Sequence, residues 1–145
     1  MMSEDYGRLV ELVELKELAL IELTHQRDED ELRMPLKVEY QLEIQPVTVN
    51  IDQLVAKAEF EFKAHPVDDP SREQLAQVEI RMVWRVAYGL RKTNGEKPDV
   101  QELGPMFLER NVPINVWPYI RETLANLTAK MGAEPFLLPP LRLVR

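Results

Sequence analysis

Three stretches of strict alternation restrict what this chain can fold into. Over 35–45, PLKVEYQLEIQ, Val38, Tyr40, Leu42 and Ile44 alternate with Lys37, Glu39, Gln41 and Glu43. Over 55–64, Ala56, Ala58, Phe60, Phe62 and Ala64 point one way and Lys57, Glu59, Glu61 and Lys63 the other. Over 75–88, Val78, Ile80, Met82, Trp84, Val86 and Tyr88 oppose Gln77, Glu79, Arg81 and Arg85, with Val83 and Ala87 diluting the polar side. A period of two is the signature of a half-buried strand, because successive side chains leave opposite faces of the backbone. Strands with one apolar and one charged face belong to an antiparallel sheet covered on one side. Pro46 lacks an N–H for a ladder and so asks for an edge strand or a break, with VTVNI continuing beyond it. HPVDDPS, 65–71, with two prolines, is a turn or loop.

The helical signals lie elsewhere. Residues 9–23, LVELVELKELALIEL, are ambiguous: Leu9, Leu12, Leu15 and Leu18 recur every three positions, and Leu and Glu favour helix locally. After the polar loop 91–98, Asp99 can cap a short helix over VQELGPMFLER, interrupted at Gly104–Pro105. A second helix over 116–131 follows, with Asn115 or Trp117 as N-cap and Pro118 in the first turn, where a missing N–H costs little. Its stripe is Ile120, Leu124, Leu127 and Met131, and Gly132 is placed to end it. Strands first and helix last is the pattern of an α+β domain, an antiparallel sheet with helix on one face. There is no internal repeat and no low-complexity tract, so 1–145 reads as a single domain.

Composition excludes several function classes. The chain's net charge of −7 argues against nucleic acid, which needs a basic footprint. The absence of cysteine removes disulfides and thiolate metal sites and suits a reducing compartment. MMSEDYGRLV carries acids where a signal peptide carries bases, and apolar runs such as LALI are too short to insert in a membrane. The expectation is a cytoplasmic protein.

Catalytic constellations are missing as well. His25 and His65 stand at expected strand ends without HxH or HxxxH spacing, so they read as solvated histidines, and no metal is expected. The acidic clusters at 28–31 and 68–69 read as solvated loops. Five glycines supply no phosphate-cradling loop, and Ser3 and Ser71 have no base near them in sequence. The reading is a protein that is not an enzyme and uses no cofactor. Phe60, Phe62 and Trp84 read as core. The alternative is a small ligand-binding domain whose open sheet face lines a pocket with Trp84 and Tyr88.

The last residues pose a separate problem. Phe136, Leu137, Leu138, Leu141, Leu143 and Val144 crowd around Pro139 and Pro140. Residues preceding proline are pushed to extended geometry. The segment therefore cannot bury its apolar groups in its own helix and must lie along another surface. Met34, Leu36 and Val38, at the entry to the second strand, offer an adaptable apolar lining, since methionine repacks easily. With Phe136 and Leu138 they are candidates for the border of a groove that takes unfolded polypeptide in extended form.

VWPYIRETLANLTAKMG followed by FLLPPLRL resembles SecB, the tetrameric export chaperone family. The residues that carry the resemblance are Trp117, Pro118, Tyr119, Arg121, Glu122, Gly132, Leu138 and Pro140. It implies a four-stranded antiparallel sheet over about 11–24, 36–50, 54–64 and 74–88, with helix on one face, and so turns 11–24 into strand against the local signal. It further implies a holdase for preproteins and a homotetramer, a dimer of dimers whose helices meet through Trp117, Tyr119, Arg121 and Glu122. Family members that dock on the SecA motor carry two acids on the first strand. Lys16–Glu17 matches the first, which makes Glu17 the candidate docking residue, while Ile21 stands at the second. SecB chains also continue into a second helix, which a chain ending at Arg145 lacks. SecB-like chaperones that serve antitoxins are the other branch of the resemblance.

Overall fold

The computed structural model describes residues 2–67, 76–95 and 97–141. Asp68, Asp69, Ser71, Leu143 and Val144 lie outside them, and with them part of the loop expected at 65–71.

The alternating runs become β2 (Leu36–Val49), β3 (Gln53–Pro66) and β4 (Val78–Leu90), close to their expected limits. A fourth strand, β1 (Val13–Arg27), completes one antiparallel sheet in the order β1-β4-β3-β2. The leucine-rich stretch divides. Met2–Leu12 form helix α1, and the strand expected from residue 11 starts at Val13. The boundary has a physical cause: Val13 pairs with Leu90, the last residue of β4, and one further bond, from the Arg91 N–H to the Leu12 carbonyl at 2.8 Å, closes the ladder. Upstream, the helical preference of Leu and Glu is free to act. Downstream, pairing with β4 overrides it. Two register shifts in β1 leave Lys16 and Ile21 as extra residues between Leu15 and Glu17 and between Leu20 and Glu22. Pro46 sits in β2, an edge strand, as its missing N–H requires.

Helix α2 (Val100–Lys130) corrects the reading of two separate helices. Asp99, not Asn115 or Trp117, is the N-cap, its side chain accepting the Glu102 N–H at 3.2 Å. Pro105, Pro113 and Pro118 all lie inside the helix. Each interior proline costs about 3 kcal/mol. Against that stand Val100, Leu103, Phe107, Leu108, Val112, Val116, Ile120 and Leu124, all buried along one side. Burying each such side chain is worth about 1.5–3 kcal/mol, so packing on the sheet outweighs the three breaks. Gly132 ends the helix as expected, at φ 82°.

The core lies between α2 and the apolar faces of β3 and β4, where Leu54, Ala56, Ala58, Phe60, Met82 and Val86 are fully buried. α2 packs chiefly on β2 and β3. α1 closes one end: Leu9 is fully buried, the Arg110 guanidinium stacks 5.1 Å from the Tyr6 ring, and Asn111 donates to the Tyr6 hydroxyl at 3.1 Å. The β1 edge of this same face stays uncovered. Leu15, Leu20 and Leu23 pair with Tyr88, Trp84 and Met82 and so share their face, yet they are 37–47% exposed. The opposite face of the sheet is charged, with Arg81 bridging Glu22 and Glu59 and Arg85 paired with Glu17.

Candidate functional site

Two segments that sequence periodicity leaves undefined build the site. The first is the connection 28–35 between β1 and β2. Its anchor is Gln77, only 3% exposed, whose side chain accepts the Arg33 N–H at 2.8 Å and donates to the Glu31 carbonyl at 3.2 Å. Its backbone carbonyl accepts from Asp28 N at 2.9 Å. Held this way, the connection enters β2 through a cis Met34–Pro35 bond and leaves Met34 64% exposed. Gln77 reads in the sequence as one more polar residue of an alternating strand, and nothing in that pattern marks it as a buried clamp.

The second is the segment after α2. Gly132 turns the chain, and the Arg27 guanidinium, reaching from β1, donates to the Met131 carbonyl. That places a cation on the negative end of the helix dipole. The segment then runs extended along α2. The Phe136 N–H donates to Thr128 Oγ1 at 2.9 Å, Arg121 Nε donates to the Leu138 carbonyl at 2.8 Å, and Trp117 Nε1 donates to the Pro139 carbonyl at 2.9 Å. The Phe136 ring packs on Phe62 with centroids 5.0 Å apart.

Between the two segments lies a recess of about 210 Å³, walled by Met34, Leu36, Val38, Phe62, Ala64 and Phe136. Four candidates for the groove, Met34, Leu36, Val38 and Phe136, are thus brought together. Leu138 is not among them: at 1% exposure it is core, because the carbonyl contacts to Arg121 and Trp117 hold it down. The helix residues split similarly. Trp117 is 7% exposed and Arg121 half-buried, and within the chain both hold its own tail. Tyr119 is 51% exposed and Glu122 is exposed, which leaves these two available to a partner. Glu17 lies on the charged face, paired with Arg85, and Ile21 is the extra residue of a bulge, 49% exposed.

The alternative of a pocket lined by Trp84 and Tyr88 does not hold. Both are core residues, at 6% and 3% exposure, and the Tyr88 hydroxyl is spent on Asn115 Oδ1 at 2.6 Å. Among the described residues no group of three His, Asp or Glu side chains is arranged to hold a metal ion. No described helix is long and apolar enough to cross a membrane.

No protein-family model and no curated protein matches the chain. Among solved structures, it is similar to the Mycobacterium tuberculosis Rv1957 SecB-like chaperone, solved in complex with a ChAD peptide from the Rv1956 HigA1 antitoxin. That likeness has a TM-score of 0.73 at 14% identity and covers 97% of this chain and 96% of the other. A Streptococcus agalactiae protein of unknown function shares 11% identity at a TM-score of 0.44, covering 88% of this chain and 96% of that one. The first likeness shows a common fold, the four-stranded antiparallel sheet with helices on one face.

Proposed function

From that shared fold and the recess we propose that the protein is a SecB-like chaperone, a holdase that takes unfolded polypeptide in extended form and performs no reaction. The observation that carries the reading is the recess itself. An exposed methionine and the aliphatic and aromatic walls Leu36, Val38, Phe62, Ala64 and Phe136 stand at β2, the edge strand of the sheet. Apolar walls supply affinity without sequence demands, and an edge strand supplies backbone pairing. The acidic surface keeps a protein with such a recess soluble.

The chaperone works in the cytoplasm as a homotetramer. The subunit contacts run through the uncovered face of β1 and the flank of α2 that carries Tyr119 and Glu122. Two client classes are consistent with the resemblance and the likeness. Preproteins delivered to the SecA motor would use Glu17 as part of an acidic docking patch. A dedicated antitoxin client fits the complex in which the Rv1957 chaperone was solved. With Ile21 at the second docking position, the dedicated client is the better supported.

The test is aggregation of a reduced, unfolded client protein in the presence of the wild type and of Met34→Glu. Met34 is 64% exposed, so the variant keeps its stability within about 1 kcal/mol while placing a charge on the recess wall. The wild type suppresses aggregation and Met34→Glu loses most of that effect. Equal suppression by both removes the recess from the function. Capture of SecA by the wild type but not by Glu17→Lys would select the export branch.

A further inference from the structure

The tail is held as a bound peptide is held. Trp117, Arg121 and Thr128 fall at i, i+4 and i+11 of α2, which is one stripe of the helix. Read in that order they meet Pro139, Leu138 and Phe136, so the tail runs antiparallel to the helix. All three hydrogen bonds go to the tail's backbone and none to its side chains.

The contacts define what such a track requires. At the anchor position, Phe136, a backbone N–H is used and a ring packs on Phe62. The next residue, Leu137, is 73% exposed and carries no demand. At Leu138 the side chain is buried and the carbonyl is used. At Pro139 only the carbonyl is used, which is why proline fits there. The requirement is therefore apolar, any, apolar, then a residue that can be proline. The recess opens onto the anchor, since Thr128 and Phe136 belong to both. A chain entering over Met34 meets the tail's first hydrogen bond before any other.

We propose that this stripe of α2 is a backbone-reading peptide track. It is occupied in cis by residues 135–141 and taken in trans by extended client segments of the pattern apolar-x-apolar followed by a residue that can be proline, which displace the tail. The proposal rests on the chaperone reading and adds to it a client pattern and a self-competing strap.

The test uses the full chain and a fluorescein-labelled peptide EPFLLPPL, the sequence of residues 134–141. Pro139 and Pro140 are exposed, so the double variant Pro139→Gly, Pro140→Gly loosens the strap without changing any side chain of the α2 stripe. Restoring backbone freedom at two positions favours the released strap by roughly tenfold. The variant is therefore expected to bind the peptide up to roughly tenfold tighter than the wild type, by fluorescence anisotropy. On the wild type, unlabelled peptide moves the Trp117 indole N–H and Phe136 amide resonances. A peptide with N-methylphenylalanine at the anchor loses binding, because that N–H is required. Equal affinity of the two proteins, with those resonances unmoved, overturns the strap and leaves the holdase reading standing. Full binding of the N-methylated peptide overturns the backbone track. If neither protein holds any peptide, the track is overturned, and suppression of client aggregation by the wild type decides the chaperone reading separately.

Discussion

Tyr88 shows how much a single residue's environment decides. In the alternating pattern it is one more inward position of β4. In the fold it is 3% exposed, its ring meets Phe107 edge-on at 5.1 Å, and its hydroxyl donates to Asn115 Oδ1 at 2.6 Å. Burial pushes its phenol pKa well above the ordinary value, because the phenolate would lose its water. The sign of the linkage follows: a folded pKa above the unfolded one contributes stability that is present below pH about 10 and is lost as pH rises beyond it. Urea unfolding at pH 8 and pH 11 should show a larger drop for the wild type than for Tyr88→Phe. At pH 8 the variant should be weaker by about 1 kcal/mol, since Asn115 loses its partner. A variant whose alkaline drop equals the wild type's would show that Tyr88 is not the titrating group. Gln77 makes the related point that a buried polar clamp and a solvated strand residue look identical in sequence.

At the level of elements, the ends of α2 were legible and its continuity was not. Asp99 and Gly132 have the residue types that cap and terminate helices, and they do so here. The interior prolines read as breaks because local rules count the lost hydrogen bond and cannot count the sheet underneath. Gly132 offers a test of the stop. A Cβ there would sit 3.0 Å from Arg27 Nη1, at a φ of 82° that L residues adopt only under strain. Gly132→Ala should cost about 1–2 kcal/mol in thermal or chemical unfolding, from the left-handed backbone and the displaced Arg27 contact. Unchanged stability would mean that the turn after α2 relaxes freely and does not aim the tail. The strands divide the same way. β2, β3 and β4 follow their own alternation, while β1 is a strand only where β4 runs beside it.

On the scale of the whole molecule, the uncovered face carries the prediction. Leu20 and Leu23 on β1, with Ile114 and Tyr119 on α2, leave large side chains 37–51% exposed, Leu20 paired with Trp84 across the ladder. The Trp84 indole N–H is buried there without a partner, beneath a Tyr119 ring 6.1 Å away. Exposed large apolar side chains of this kind are what a symmetric subunit contact covers. Light scattering of the wild type should give the mass of four chains at micromolar concentration. The double variant Leu20→Asp, Tyr119→Asp should give a smaller species whose circular dichroism is unchanged, because neither side chain belongs to the monomer core. A wild-type monomer would remove assembly from the proposed function, and a full-sized variant would move the contacts elsewhere.

By itself the sequence determined the parts that depend on local period and residue type. These are three strands with known inward faces, a helix ended by Gly132, and a tail that must lie extended on another surface. Only the tertiary structure decided where β1 begins, that three prolines could be absorbed into one helix, that Leu138 belongs to the core, and that Trp117 and Arg121 hold the tail. The reason is common to all four. Each outcome depends on a partner distant in the chain: Leu90 for Val13, the sheet for the prolines, and the carbonyls of Leu138 and Pro139 for Arg121 and Trp117. A periodicity describes which way a side chain points, and it carries no information about what arrives on the other side.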